Sequence, residues 1–177
     1  MIPEGFGDYW LNSMEAGRLS WNNSAAPVTF LPPTWVVRTS RFDGSLPFYP
    51  PIPLTGNYVR VEPNFDIHTV ALLGLALSNV QYPAAPDRAR VTLFLHGISS
   101  NSSTFGSSIP DIITHVMVHE LGHVLGLDDG NVFRDGARTP VLGSNVYGSV
   151  MNHPNTAWGP ITSPTGFDID SVKMIYD

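Results

Sequence analysis

The run His119-Glu120-Leu121-Gly122-His123 has the residue types and the spacing for metal-assisted hydrolysis. On a helix, His119 and His123 stand at i and i+4, so their imidazoles leave one face a single turn apart and can share a cation. Glu120 sits beside them. In the arrangement HExxH the two imidazoles bind Zn2+, and the carboxylate addresses the water on the metal without itself becoming a ligand. Zinc lowers the pKa of such a water from about 15.7 to about 7, which brings its proton within reach of a carboxylate base near neutral pH. The chemistry open to this trio is hydrolysis by a metal-activated water, of which peptide-bond cleavage is one case.

A hydrolytic zinc takes three protein ligands and keeps one position open. The text continues as HELGHVLGLDD, with Gly126 three residues after His123 and Asp129 six residues after it. A helix that has just presented two ligands must turn sharply there, and glycine enters the left-handed region without steric cost. Asp129 is then placed to complete the site. Asp128 is the alternative third ligand. The reading without chemistry takes His119 and His123 as hydrogen-bonded helix residues and the two aspartates as solvated turn residues.

The run resembles the HExxHxxGxxH signature of the metzincin clan of zinc endopeptidases, with Asp129 at the third ligand position, a substitution that snapalysins share. The wording HELGHVLGL is also similar to the matrixin and serralysin versions. Metzincins carry a methionine-containing turn beneath the zinc, and Ser149-Val150-Met151-Asn152, with Met151 22 residues after Asp129, looks like it. A thioether there would form an adaptable apolar floor; an ordinary core methionine is the other reading. The closing stretch 167–176 is similar to the last helix of matrixins. Two departures stand out. Astacins and serralysins place a tyrosine two residues after the methionine, where this chain has His153. His153 is therefore a candidate electrophilic donor to the developing oxyanion, or else a surface turn residue next to Pro154. The cysteine that keeps matrixin precursors latent has no counterpart in a chain without cysteine.

The resemblance implies a Zn2+-dependent endopeptidase. The metal would be held by His119, His123 and Asp129, and Glu120 would serve as the base. The substrate would be a protein or peptide lying extended along an edge strand, for which residues 89–100 are the candidate. Two rivals remain: another zinc amidohydrolase using HExxH, against which Gly126, Asp129 and Met151 weigh, and a catalytically silent zinc-binding protein, against which the intact Glu120 weighs.

Bulk properties agree with this chemistry. A length of 177 residues suits one domain. The 16 glycines and 16 prolines predict many turns and few long helices. A net charge of −6, without a basic stripe, argues against a nucleic-acid partner. No apolar run reaches the roughly 20 residues of a membrane span. A monomer is expected. The start carries Glu4 and Asp8 in place of a charged-then-apolar export signal, but Met1 can equally be a start codon on a trimmed mature chain, so secretion, the favoured expectation, and a cytoplasmic location both stay open. Without cysteine, any zinc must sit on histidine and carboxylate.

The elements that must position these residues follow from the pattern. Residues 1–26 read as an irregular entry. Residues 28–31 and 35–37 read as short strands around Pro32-Pro33, and the proline-dense stretch 43–57 as loop. Residues 58–61 alternate as a strand. Asp66 is a plausible N-cap for a buried helix over 67–80. A strand over 89–95 is followed by a Gly- and Ser-rich loop or bulged edge over 96–108. The active-site helix begins near 108–111, tolerates Pro110 in its first turn and stops at Gly126. The fold class is α+β: a small twisted mixed sheet, a buried helix and an active-site helix over 1–126, then an irregular C-terminal subdomain, 127–177, ending in a helix.

Overall fold

The structure, a computed structural model, describes residues 8–32, 58–64, 73–78, 88–129, 148–152 and 159–176. It is α+β, with four helices and a small mixed sheet among these residues. In chain order the elements are α1 (Asp8–Asn22), β1 (Tyr58–Asn64), β2 (Gly74–Ser78), β3 (Arg88–Phe94), α2 (Leu95–Phe105), α3 (Ile109–Val124) and α4 (Gly166–Tyr176).

The centre of the molecule is α3. Its Ser108 cap accepts from the Asp111 amide at 3.3 Å and donates its hydroxyl to the Asp111 carboxylate at 2.6 Å, with Pro110 tolerated in the first turn, where no intrahelical donor is needed. Ile112, Ile113, Val116, Met117, Val118, Leu121 and Val124 are all buried. A helix apolar on every side must be packed on every side, and α3 meets α1, α2, β2 and β3. Burial of each such side chain stabilises by roughly 1.5–3 kcal/mol.

The sheet runs β1-β3-β2, parallel between β1 and β3 and antiparallel between β3 and β2. Ala89, Val91 and Leu93 of β3, all buried, point toward the helices, and their partners in register include Gly74 and Ala76 on β2. Because period two puts alternate residues on one face, β2 offers its smallest side chains to α3 and turns Leu75 outward, 44% exposed.

Five expectations are corrected. Residues 8–22 form a helix, not an irregular entry: Trp10, Met14, Gly17 and Trp21 recur at helical spacing and are buried. Residues 28–32 contain no strand. The Asn22 amide occupies both backbone groups of Phe30, accepting from its N–H at 2.8 Å and donating to its carbonyl at 2.7 Å, and Arg18 also donates to that carbonyl. Residues 74–78, inside the stretch read as a buried helix, are a strand, since an all-apolar run carries no period that separates the two. Residues 95–105 are a helix rather than a loop. Ser and Asn are weak helix formers by only a few tenths of a kcal/mol each, and here Asn101 and Ser102 bond back to Gly97 and Ser99 carbonyls while Ile98 is fully buried. Finally, β3 is not an edge, because it is paired on both sides. The strand and loop expected at 35–37 and 43–57, and the Asp66 cap, lie outside the described residues.

α1 is fastened to the back of α3 by Trp21, which is fully buried and donates from Nε1 to the Val118 carbonyl at 2.9 Å. Trp21→Ala should therefore lower stability by about 3–5 kcal/mol in urea unfolding. A loss below about 1 kcal/mol would show that α1 contributes little to the core.

Candidate metal centre

Each histidine of α3 is held by a backbone carbonyl. His119 Nδ1 donates to Val150 O at 3.0 Å, and His123 Nδ1 donates to Leu127 O at 2.9 Å. A carbonyl only accepts, so the proton of each neutral ring sits on Nδ1 and Nε2 is the nitrogen that carries the lone pair. The two rings stand edge-on, centroids 4.6 Å apart, and their Nε2 atoms lie 3.0 Å from each other.

The second of those carbonyls is set by how α3 ends. The Gly126 amide donates to His123 O at 3.1 Å and the Leu127 amide to Gly122 O at 3.0 Å, the paired closure of a helix stopped by a left-handed residue. Gly126 has φ 100°. The reversal buries Leu127 at 1% exposure and aims its carbonyl back at His123. Two residues on, Asp129 Oδ1 lies 3.3 Å from His119 Nε2 and 3.4 Å from His123 Nε2. Asp128 instead accepts from the Asp129 amide at 3.2 Å.

Three atoms carrying lone pairs thus converge with edges of 3.0, 3.3 and 3.4 Å. Tetrahedral zinc with its usual bond lengths sets ligand atoms roughly 3.3–3.5 Å apart, so the donor set fits that ion. His119, His123 and Asp129 form the one such group among the described residues. The electrostatics agree. His119 is held above the ordinary histidine value: burial, the largest single influence, acts downward, but the bond to Asp129, the Glu120 charge, the Val150 carbonyl and the Asp129 charge together outweigh it. In the metal-free chain, this imidazolium stabilises the fold below the ordinary value near 6.5, and the contribution is lost as pH rises through the raised one. A bound metal ion would compete with that proton for the same nitrogen.

Glu120 is buried at 4% exposure, facing β2. Met151 is fully buried, its sulfur packed against Gly122 so closely that a side chain at that glycine would overlap it. The segment that carries Val150 and Met151 is tied down by a residue whose role the sequence reading missed. Asp168, fully buried at the start of α4, accepts from Ser149 Oγ at 2.6 Å, from the Val150 amide at 3.1 Å, and from Thr165 N and Oγ1 at 2.8 Å each. Thr165-x-x-Asp168 is a capping-box pattern, a signal that marks the helix start but not the long-range partners. His115, one turn before His119, is also buried, its Nδ1 lying 2.8 Å from Ile161 O. It takes no part in the converging group. His153 lies outside the described residues.

Residues 57–137 match the family model described as zincin-like metallopeptidase. That stretch holds the sheet, α2, α3 and Asp129, and it supports membership of the zincin superfamily of metallopeptidases. It also supports a zinc-dependent peptidase activity. No curated protein and no solved structure gave a match. The fold is compatible with a zincin-like one.

Gly126 carries the geometric burden of the turn. Gly126→Ala forces a side chain into the left-handed region, at about 1–2 kcal/mol, and should weaken zinc binding because the Leu127 carbonyl shifts with it. Unchanged stability and unchanged zinc affinity in a chelator competition would contradict the turn described.

Proposed function

We propose that the protein is a zinc-dependent endopeptidase of metzincin type. In this reading His119, His123 and Asp129 hold the metal, and Glu120 is the general base. The observation that carries it is the convergence of two imidazole nitrogens and a carboxylate oxygen at the end of α3, with a buried carboxylate adjacent in sequence to the first of them. When bound, zinc would supply Lewis acidity at the scissile carbonyl and a water of lowered pKa. Glu120 then takes the proton from the attacking water at its carboxylate and returns it to the leaving amine, so no covalent link between enzyme and substrate forms. The Val150 and Leu127 carbonyls keep the two rings in the ligand tautomer throughout. Met151 under Gly122 acts as the methionine turn of the clan.

The substrate would lie extended along β2, not along 89–100 as the sequence suggested. Among the described residues β2 pairs only with β3, and its first residue abuts Glu120. An added peptide strand would draw affinity from main-chain hydrogen bonds and meet the exposed Leu75. His153 is a candidate donor to the oxyanion on its place in the sequence alone.

The test is release of new amino termini from a denatured protein substrate. Zinc-loaded protein should cleave, a chelator should abolish cleavage, and Glu120→Ala should lower kcat by at least about 10²-fold while retaining zinc. Cleavage that survives the chelator, or its absence in fully metallated protein, would remove the proposal. An aspartate ligand donates more charge to the metal than a histidine does, which raises the pKa of the attacking water. The acidic limb of the pH–rate profile should accordingly move to lower pH in Asp129→His; a limb that stays put or rises would contradict the assignment of Asp129.

A further inference from the structure

Gly74 opens β2, where a side chain would have nowhere to go. A Cβ built on it would overlap Glu120 Oε1 and lie 2.8 Å from Glu120 Cδ and 2.7 Å from Val116 Cγ1. Val116 and Glu120 are i and i+4 on α3, so they face β2 together, and both are buried. The strand cannot retreat. Gly74 is in register with the buried Leu93, and the Phe94 amide donates to the Leu73 carbonyl at 3.0 Å, fixing the chain at the head of β2. Nor can Val116 swing aside, because a β-branched side chain in a helix has one strongly preferred rotamer and this one is packed in the core.

We infer that Gly74 is a positioning residue for Glu120: the missing side chain at the head of β2 is the space that the general-base carboxylate occupies. The inference rests on the proposed peptidase reading for its consequence in catalysis, but not for its geometry. Of the groups that a new methyl would meet, only the Glu120 carboxylate stands at the end of rotatable bonds, so it is the group that moves. His119, His123 and Asp129 are not among the nearest neighbours of that position. A change at Gly74 therefore acts on the base while leaving the metal donors where they are.

The test joins kinetics to a stability cycle. Gly74→Ala should lower kcat by about 10²-fold, the penalty of an ångström-scale misplacement of a reacting group, with KM within about twofold and zinc content unchanged. A purely structural role would not produce that split. Urea midpoints should be measured for the wild-type chain, Gly74→Ala, Glu120→Ala and the double variant. The drop caused by Gly74→Ala should shrink markedly once Glu120 is alanine, because the overlapping carboxylate is gone. Equal drops in both backgrounds, or an unchanged kcat, would overturn the inference. If Gly74→Ala is too unstable to assay, adding Val116→Ala removes the other overlapping atom, and the kcat loss should persist relative to Val116→Ala alone; its disappearance would count against the inference. The stability cycle needs no turnover. An inactive wild-type protein would thus defeat the peptidase reading, while the cycle would still decide whether Gly74 confines Glu120.

Discussion

Two imidazole nitrogens and a carboxylate oxygen within 3.0–3.4 Å of one another form an arrangement that neutral chemistry does not favour, since three lone pairs face a common point. Either a proton or a cation must sit among them. Much of the described structure can be understood as the means of holding that arrangement against its own repulsion. Val150 and Leu127 supply carbonyls that fix each ring from behind. Those carbonyls are in turn fixed, one by the Asp168 network and the other by the closure of α3 at Gly126.

The same helix serves both the core and the chemistry. α3 is buried on all sides, and its polar residues His115, His119 and Glu120 are buried with it. Polar groups in such surroundings are costly unless each has a partner. The two histidines meet that requirement with backbone groups from separate segments, residues 148–152 and 159–162, which brings the C-terminal part of the chain under the site. Asp168 links the start of α4 to the same segment. The stability of α4 and the aim of His119 therefore share a single carboxylate.

What the sequence made legible divides along physical lines. The ligand spacing, the Ser108 cap, Pro110 in the first turn and the reversal at Gly126 were readable because each is a local rule with a residue-specific cause. The helix at 8–22 was also readable, from Trp10, Met14, Gly17 and Trp21 at helical spacing, yet its mixture of aromatics, Gly and Asn reads as loop when the period is not counted. The strand at 74–78 was not decidable from an all-apolar run. Its identity depends on pairing with β3, a tertiary fact. The Gly- and Ser-rich α2 is the converse case, where weak propensity yields to the burial of Ile98. Asp168 and Gly74 were illegible for another reason: their importance lies in what they touch 18 and 46 residues away along the chain, at Val150 and Glu120.

The central claim concerns the atoms that meet at the end of α3, and X-ray absorption at the zinc edge of the stoichiometrically loaded full chain reads them directly. The account predicts two imidazole nitrogens at about 2.0–2.1 Å and carboxylate and water oxygens at about 2.0–2.2 Å, with one imidazole lost from the spectrum of His119→Ala and one oxygen ligand lost or replaced in Asp129→Ala. A first shell of three imidazoles, or a spectrum that Asp129→Ala leaves unchanged, would contradict it.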